Sequence, residues 1–585
     1  MYLGDLVHGV RCMFSSIRIF ILVIISAYLS GCATYGQDVR KGLTLAQQGN
    51  YPEAAKALEG ALDPKGNDRL LYYTELGMVY HLAGDYKKSN RLLDSAERIA
   101  EDLYTKRVSD MLTTAMSNPR QGPYRATDFE RVFISYYKAL NYLMLASNAG
   151  SNGAKNDALE GARVESRKMD LILSTIEHKK GSYEEQADRE KSMFSKLMRV
   201  FDQLTGEIID KDKIVYRNDA FGQYLVGTIY EKHKEYDDAR IAYQKAATLY
   251  ESGYQAQYNL DESMTEQAWF DTIRMMQKAG GWNNQWPKLS QTKLSSLKRT
   301  ELKDFNNQGH LLVIEHIGLV PERSEMNMIL YADENTRQIA VSPLLSGDPQ
   351  TQLDQRFWFF ALYADKGITD VLSAAYENRM LPALMQFGLT KREYLGPLWD
   401  VADGLGVIDI MKKGLRVTVP YYGVTSLKMP KASYLSVDNE QKTMIVGQSV
   451  THMAVQQQLL SASEDLQESM AREAFKGLTT AKVASLGGNG NSQAGAILSL
   501  LGKITTAATS AAETRNWLLL PGQIKVQRIP LEEGTHAVQL TSHFADGSSQ
   551  MQTQQVDIKK DQMTLWKVRS FSQGESGNIQ QTALK

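Results

Sequence analysis

The chain of 585 residues is 43% hydrophobic, so it carries enough apolar side chains for several ordinary cores, and its length favours three or four domains. Its 66 basic and 67 acidic side chains leave a formal net charge of -1, which indicates no basic surface for nucleic acid. Protein or cell-wall partners are therefore expected, and nucleic acid is not.

The first predicted element is a lipoprotein signal peptide over residues 1–31. The apolar run Ile19–Leu29 follows Arg18 but is shorter than the roughly 20 residues that a membrane-spanning helix needs. Leu29-Ser30-Gly31-Cys32 resembles a bacterial lipobox, which implies cleavage before Cys32 and lipidation of its thiol. A secretory signal that contains a cysteine by chance and an uncleaved anchor are the alternatives.

The residue after Cys32 is Ala33. By analogy with bacterial sorting rules, which keep lipoproteins with aspartate at this position in the inner membrane, we predict an outer-membrane protein that faces the periplasm. Cys12 is the other cysteine of the chain and leaves with the leader, so no disulfide is expected. Met13 would open a more compact leader than Met1, and both are candidate starts.

Three segments between residues 32 and 280 share a helical pattern. Residues 47–64 and 82–99 superpose with an offset of 35 residues, and residues 223–250 repeat the pattern. The pattern resembles the tetratricopeptide repeat (TPR), a helix pair of about 34 residues, in which a small residue such as Gly77 lets the two helices approach closely. Because one repeat cannot bury its own apolar face, about three or more must stack, so we predict a TPR-like α-solenoid over 32–280.

The repeat geometry turns some first-helix residues toward the concave side of this solenoid, where they would form a partner-binding groove. The alternative is that these residues, spaced along one helical face, belong to the core. The candidates are Leu71, Thr74, Met78 and His81 in the second copy, and Phe221, Tyr224, Thr228 and Glu231 in the third copy.

After the repeats, composition and periodicity change twice. Residues 281–308 are rich in Gly, Asn, Ser and Lys and are predicted to be a linker. Residues 309–514 combine apolar runs typical of buried strands with helical periods, which indicates a mixed α/β middle domain. Period-2 segments over 515–575 predict a small antiparallel β-sandwich, and 576–585 a flexible tail. The fold class is multidomain α+β.

The hydrophobic periodicity of residues 309–517 also predicts individual strands and helices. Strands are predicted at 309–321, 337–345 and 415–423, and helices at 368–388, 394–413, 453–484 and 496–517.

The sequence offers few motifs for chemistry. It has no H-E-x-x-H or His-x-His cluster and no mature cysteine, so we expect no metal and no other cofactor. His310 and His316 share one face of a predicted strand, with Glu315 on the other, but lie too far apart along it to hold one ion. Residues 487–495, "GGNGNSQAG", fit a flexible linker better than a phosphate loop, because they lack a lysine.

Arg515 and Trp517 stand two residues apart where a predicted helix meets the first strand of the sandwich. An arginine and a tryptophan in this place can clamp two domains through a buried ion pair, and a ligand site is the alternative. We expect the structural clamp.

Four stretches together resemble a family of uncharacterised TPR-containing bacterial lipoproteins. They are residues 129–143 ("FERVFISYYKALNYL"), 162–168, 313–321 and 512–521. In the last stretch Glu513 and Asn516 stand where the family pattern has Asp and Ser. The resemblance implies an envelope location. Because family members are encoded near lipoprotein activators of penicillin-binding proteins, it also implies a link to cell-wall assembly.

Two functions follow from these patterns. In the first, the chain is a lipid-tethered scaffold or adaptor without enzymatic activity, which holds envelope or periplasmic proteins, such as the cell-wall synthesis machinery, through its TPR groove. In the second, it is an enzyme or regulator that acts on peptidoglycan or another glycan with its α/β domain, which requires a cleft with converging acids. We favour the first.

Overall fold

The computed structural model describes residues 35–109, 119–179, 219–305, 308–363, 390–423, 429–438, 440–477 and 511–572. The helices before the first strand are α1 Tyr35–Gln47, α2 Tyr51–Ala61, α3 Arg69–Leu82, α4 Tyr86–Ser109, α5 Asp128–Ser147, α6 Asn152–Lys179, α7 Ala220–Lys232, α8 Tyr236–Leu249, α9 Ser263–Ala279, α10 Trp286–Lys293 and α11 Ser296–Asp304. A π-helical turn, Tyr250–Tyr254, and the short helix Gln255–Gln257 follow α8.

Helices α1 to α9 pack on one another in chain order, and we call them the helical wall. Glycines allow the close approach within a pair: a Cβ added at Gly77 would lie 2.8 Å from the Leu93 side chain, and one at Gly227 would lie 2.7 Å from Tyr243. The repeat pattern predicted this role for Gly77. The structure therefore has an N-terminal helical region, and its assignment to the TPR class remains a prediction.

The remaining elements form three four-stranded sheets with four further helices. The strands are β1 Gly309–Ile317, β2 Arg323–Asp333, β3 Gln338–Leu344, β4 Lys391–Tyr394, β5 Leu415–Tyr422, β6 Ser433–Val437, β7 Glu440–Thr443, β8 Ile445–Ser449, β9 Gln523–Leu531, β10 Gly534–His543, β11 Ser549–Ile558 and β12 Met563–Ser570. The helices are α12 Pro349–Tyr363, α13 Leu398–Gly404, α14 Val407–Lys412 and α15 Val450–Gly477.

The inner sheet has the strand order β12-β1-β9-β8, the outer sheet β11-β10-β6-β7 and the side sheet β4-β3-β2-β5. Strand β1 runs parallel to β12 and antiparallel to β9. Helix α15 packs on β5 of the side sheet. The chain is thus a mixed α+β protein with an N-terminal helical region and sheets after it.

The inner sheet lies between the helical wall and the outer sheet, because its side chains alternate between two cores. In β1, Leu312 and Ile314 belong to the core shared with the helices. Leu311 and Val313 belong to a second core with strands of the outer sheet. The result is a three-layer arrangement in the order helical wall, inner sheet and outer sheet.

The polar residues of β1 follow the same alternation. His310 and His316 face the helical wall, where they meet Glu231 and Tyr136, while Glu315 accepts a hydrogen bond from Ser542 of the outer sheet. The prediction that the two histidines share a face, with Glu315 on the other, is confirmed.

The sandwich differs from the predicted one in which strands build it. Its two sheets use β1, β6, β7 and β8 from the predicted middle domain, and the boundary at 514/515 falls between strands of a single sheet. The parallel β1–β12 pair also makes the sandwich mixed rather than purely antiparallel. A strand pairs wherever its backbone N–H and C=O groups find partners, which can be 200 residues away in the chain.

Other local predictions also differ from the structure. The predicted linker 281–308 contains α10 and α11, and strands β2, β4, β6, β7 and β8 were not predicted. In the predicted helix 496–517, the described part, 511–517, is not helical. The signal peptide with Cys32, the predicted helix 368–388, residues 487–495 and the tail 576–585 lie outside the described residues.

Candidate functional site

The eight residues predicted for the groove all lie on α3 or α7, and all are buried within the chain, between 0% and 5% exposed. Tyr224 donates a hydrogen bond to Asp271 at 2.6 Å, and His81 lies 3.0 Å from the Lys567 ammonium of the inner sheet. The face of α3 and α7 that carries these residues is therefore covered by the protein's own chain, and each of the eight is at most 5% exposed. The alternative interpretation, that these eight residues belong to the core, agrees better with their burial.

Part of this cover is residues 511–522, which we call the strap. It has no regular secondary structure, yet nearly all of it is buried. Buried backbone N–H and C=O groups need partners, and an irregular segment cannot supply them from a ladder of its own. Charged side chains of the surrounding elements supply many of them instead.

The side-chain oxygens of two glutamates of the helical wall accept hydrogen bonds from successive N–H groups of the strap. Glu75 on α3 accepts from Leu518 at 2.7 Å and from Leu519 at 3.1 Å. Glu130 on α5 accepts from Trp517 at 2.9 Å, and it also closes the capping box at the start of that helix. The helical wall therefore binds the strap through backbone hydrogen bonds. A groove binds an extended peptide in the same way, but here both partners belong to one chain.

The Glu75 carboxyl is fully buried, and burial raises its pKa to about 8 although the N–H groups of Leu518 and Leu519 oppose the shift. It is therefore mainly protonated at neutral pH. Arginines serve the carbonyl groups of the strap in the same manner: Arg120 donates to Ala512 at 3.3 Å, and Arg569 donates to Leu519 at 3.3 Å.

Arg515 extends from the strap toward the helical wall. Its guanidinium lies 2.9 Å from Asp68 and 2.6 Å from Glu513, and it donates to the carbonyl oxygens of Pro119 and Gly122 at 2.7 and 3.1 Å. This is the contact geometry that a clamp requires. It joins the strap to the loop before α3 and to the segment before α5.

Trp517 is 1% exposed, and its ring centroid lies 6.1 Å from that of Tyr137 on α5. Its indole N–H makes no hydrogen bond within the described part of the chain. Arg515 thus supplies a polar contact and Trp517 an apolar one. The loss of stability expected for a Trp517 substitution remains a prediction.

A second buried polar cluster joins the wall to strand β9. Arg274 binds Glu231 through both oxygens at 2.6 Å and lies 3.0 Å from Asp271, while Arg528 lies 3.1 Å from Glu231 and 3.2 Å from Asp271. Burial alone would raise the pKa of Glu231, but Arg274 and Arg528 outweigh it and hold that pKa well below its usual range. The charges of two carboxylates and two guanidiniums cancel, so this cluster is a buried contact without net charge between the helical wall and β9.

The histidines that the sequence singled out contribute to the same interface. Burial lowers the pKa of His310 to about 3, and burial also holds the pKa of His316 well below its usual range, so both are neutral. His310 contacts Arg528, and His316 lies 2.8 Å from the Tyr136 hydroxyl. Each histidine has its own partners, and the two do not meet.

One group of carboxylates resembles a cation site, namely Asp94, Glu97 and Glu165. The Lys138 ammonium lies among them, at 2.8, 2.6 and 2.9 Å from the three carboxylates. Burial opposes the charge on Lys138, but the carboxylates, Glu165 foremost, raise its pKa above the usual value. A second cation, Lys168, also pairs with Glu97 and Glu165. The protein supplies its own counter-charge here, and we assign no metal to this group.

A cavity of about 580 Å³ lies where the helical wall, the strap and the sandwich meet, and we call it the α1 cavity. Helix α1 forms one wall with Arg40 and Leu43, and the turn after β1 and the strap form the others. Arg40 and Glu322 form an ion pair at 3.3 Å with side chains 63% and 31% exposed. The cavities that border the predicted groove residues Met78, His81 and Glu231 are much smaller, about 10 Å³ at α3 and about 100 Å³ at α7. The lining residues are Gly36, Arg40, Leu43, Thr44, Gln47, Gly318, Leu319, Val320, Glu322, Pro430, Thr451, Leu518, Gly522, Phe544, Ala545, Asp546 and Ser572.

Sequence reasoning missed the charged residues that organise these contacts. Glu75, Glu130 and Arg274 lie in helices among apolar neighbours, and Arg528 lies in a strand on its buried face. A lone charge at an apolar position of an amphipathic pattern is the signal that could have found them, since such a charge is buried only with a partner. Their partners, distant in sequence, could not be named.

Comparison with known proteins adds no relative: no family model matches the sequence, and no curated protein matches it significantly. Among the described residues, no helix combines the length and the apolar character needed to cross a bilayer.

Proposed function

We propose that this protein is a lipid-anchored scaffold of the bacterial outer membrane that faces the periplasm and holds other envelope proteins. The docking site in this proposal is the α1 cavity instead of the groove expected at α3 and α7. The observation that carries the choice is that a cavity of about 580 Å³ lies beside α1, whereas α3 and α7 are covered by the strap and the inner sheet and border cavities of only about 10 and 100 Å³.

The position of the cavity suits a tethered adaptor. Helix α1 begins at Tyr35, three residues after Cys32. A chain extends by at most about 3.6 Å per residue, so the proposed lipid-bearing residue is within roughly 11 Å of Tyr35. A partner seated against α1 would therefore be held close to the membrane surface.

The lining of the cavity suits a short extended peptide segment. Its apolar side chains include Leu43, Leu319 and Phe544, and the Arg40–Glu322 pair stands beside them. A volume of about 580 Å³ lies within the usual range of ligand sites, about 300 to 1,000 Å³. Apolar anchors beside a few charged groups are the usual composition of a recognition site for a peptide.

The alternative, an enzyme acting on a glycan, requires carboxylates that converge on a cleft. The two carboxylates of the α1 cavity have other partners: Glu322 pairs with Arg40, and Asp546 accepts hydrogen bonds from Ser548 at 2.6 and 2.8 Å. No observation on the described residues favours this alternative.

The anchor is tested by Cys32→Ser. Because acyl-chain burial contributes about 0.8 kcal/mol per methylene, loss of the lipid should abolish palmitate labelling and move the protein to the soluble periplasmic fraction. Unchanged fractionation would refute the anchor. Labelled wild-type protein in the inner membrane would refute only the outer-membrane assignment.

The docking site is tested with a photocrosslinking residue at Thr44, in the cavity, and a matched one at Leu297, an exposed position on α11 that is 76% accessible. We expect a defined adduct with an envelope protein from position 44 and none from 297. Leu319→Trp, which fills the cavity, should remove the adduct while the melting temperature stays near that of wild type. Equal adducts from both positions, or an adduct that survives Leu319→Trp, would refute the proposed docking site.

A further inference from the structure

A second, smaller cavity lies at the other end of strand β1, where β1 and β12 begin. It has a volume of about 100 Å³, and its lining includes Lys155, Lys232, Lys234 and Lys278. Strand β1 spans nine residues between the two cavities. At about 3.3 Å per residue they are separated by roughly 26 Å or more.

The charges around this lysine cavity are unbalanced. Two carboxylates contribute to its lining, Glu231 and Asp561, but Glu231 is already neutralised by Arg274 and Arg528. Four ammonium groups therefore stand against Asp561. Within the described ranges, none of the four lysines forms an ion pair.

Helix capping explains part of this arrangement. Lys232 and Lys278 lie in the last turns of α7 and α9, where a cation complements the negative end of the helix dipole, and Lys234 follows α7 directly. Lys155 is different, because it is the fourth residue of α6, at the positive end of its own helix. Nothing in its local structure favours a cation there.

Lys232 is half-buried, and its ammonium donates a hydrogen bond to the carbonyl oxygen of Met563. Burial first, and the neighbouring Lys155 second, lower the pKa of Lys232 to about 8. The pKa of Lys278 is lowered in the same way, by burial first and by Arg274 second. Burial is the larger cause of both shifts, and the neighbouring cations add a positive potential that an anion would relieve.

We propose that the lysine cavity binds a small tetrahedral oxyanion, a phosphate or a phosphate monoester. Its volume of about 100 Å³ exceeds the roughly 10 to 15 Å³ that a cavity needs to hold one water molecule, which leaves room for an anion with four oxygens. Lysines on three helices converge on it, and ammonium groups bind phosphate oxygens as point charges. The distance from the α1 cavity places the site away from the proposed lipid anchor, so the phosphate comes from solution and not from the headgroups of the anchoring membrane.

The experiment uses the soluble Cys32→Ser chain and titrates it with sodium phosphate against sodium chloride of equal ionic strength. Calorimetry and melting temperature are the two measurements. We expect saturable binding and a rise in melting temperature with phosphate alone. Lys155→Gln, which removes the cation that capping does not explain, should weaken binding by about fivefold or more, equivalent to about 1 kcal/mol. Lys288→Gln, an exposed lysine on α10 outside the cavity, should leave it unchanged.

Three outcomes would overturn the proposal. They are an equal effect of chloride and phosphate, equal binding by the Lys155→Gln and Lys288→Gln variants, and Lys155-dependent binding to vesicles of anionic phospholipid without any binding of inorganic phosphate. The last outcome would assign the lysines to a membrane surface. Circular dichroism of each variant separates loss of binding from loss of folding, and failure of the docking test at Thr44 leaves this result unaffected.

Discussion

The two faces of the inner sheet are held by different kinds of contact. Toward the outer sheet the contact is mainly aliphatic, with side chains such as Val313 and Ile529, and the two buried charged residues on this face, Glu315 and Lys525, bond to Ser542 and Ser433. Toward the helical wall, the same strands present Arg528, Lys567 and Arg569 in addition to aliphatic residues, and each of these three bases is buried or partly buried against the wall and strap.

The comparison shows how one sheet can pack against two different neighbours, each in a defined position. Apolar contacts stabilise without much direction, and area buried is their main determinant. Buried charges cost desolvation and are stable only when each meets its partners, so they fix position more than they add stability. We infer that the polar face determines how the wall, strap and sheet are aligned, and that the apolar face contributes ordinary core stability.

The sharpest way to break this comparison is to change neighbouring residues on opposite faces of β9. Arg528→Met leaves the buried Glu231 and Asp271 without one of their cations and should lower the free energy of unfolding by about 3 to 5 kcal/mol. Ile529→Val, on the apolar face, should cost about 0.5 to 1.5 kcal/mol. Urea unfolding measures both. Equal losses would contradict the different roles of the two faces.

A second test concerns the predicted groove. In an open groove, Phe221→Ala would leave the melting temperature unchanged. In this structure Phe221 is 2% exposed and packs against Gly447 of β8, so the substitution should cost about 3 to 4 kcal/mol. Thermal unfolding is the measurement, with Leu297→Ala on the exposed surface as its control. An unchanged melting temperature for Phe221→Ala would instead support an open groove at α7.

A third test uses pH at the strap. The folded-state pKa of Glu75, about 8, lies above its value of about 4.5 in an unfolded chain. The folded state therefore binds the proton more tightly, and the stability linked to Glu75 is full below pH 4.5 and declines as pH rises toward 8. Between pH 5.5 and 7.5 the decline amounts to about 3 kcal/mol.

The measurement is the free energy of unfolding as a function of pH for wild type and Glu75→Gln. Gln cannot ionise, so the difference between the two proteins should shrink or change sign in favour of Gln as pH rises. Other titrating groups are common to both proteins and cancel in this difference. A difference that is constant over the range would show that Glu75 keeps its ordinary ionisation in the folded protein.

The smallest expected effects compare two helical glycines. Gly227→Ala places a methyl group 2.7 Å from the Tyr243 ring and should lower stability by about 1 to 2 kcal/mol, even though alanine favours a helix. Gly60→Ala, in α2, meets nothing within 4 Å and should raise stability by about 0.5 to 1 kcal/mol. Melting temperatures should shift in opposite directions. A shift of the same sign would mean that the α7–α8 contact is not as close as described.

Local patterns were enough to predict many individual elements. The apolar run at 309–321 predicted β1, and the period-2 segments after residue 515 predicted β9 to β12. The TPR-like repeat pattern predicted the close contact between helices at Gly77. The short strands β6, β7 and β8 were missed because they carry little periodic signal in four or five residues each.

The sequence by itself determined the helical region, the strands with strong alternation, and the faces on which His310, His316 and Glu315 lie, because these depend on periods of 3.6 and 2 that neighbouring residues set. Only the tertiary structure decided that strands about 200 residues apart share one sheet and that the strap packs against the helical wall. It also decided that Glu75 and Glu130 serve backbone groups of residues 517–519. The physical reason is that a buried charge or backbone group requires a partner but does not specify which distant residue supplies it.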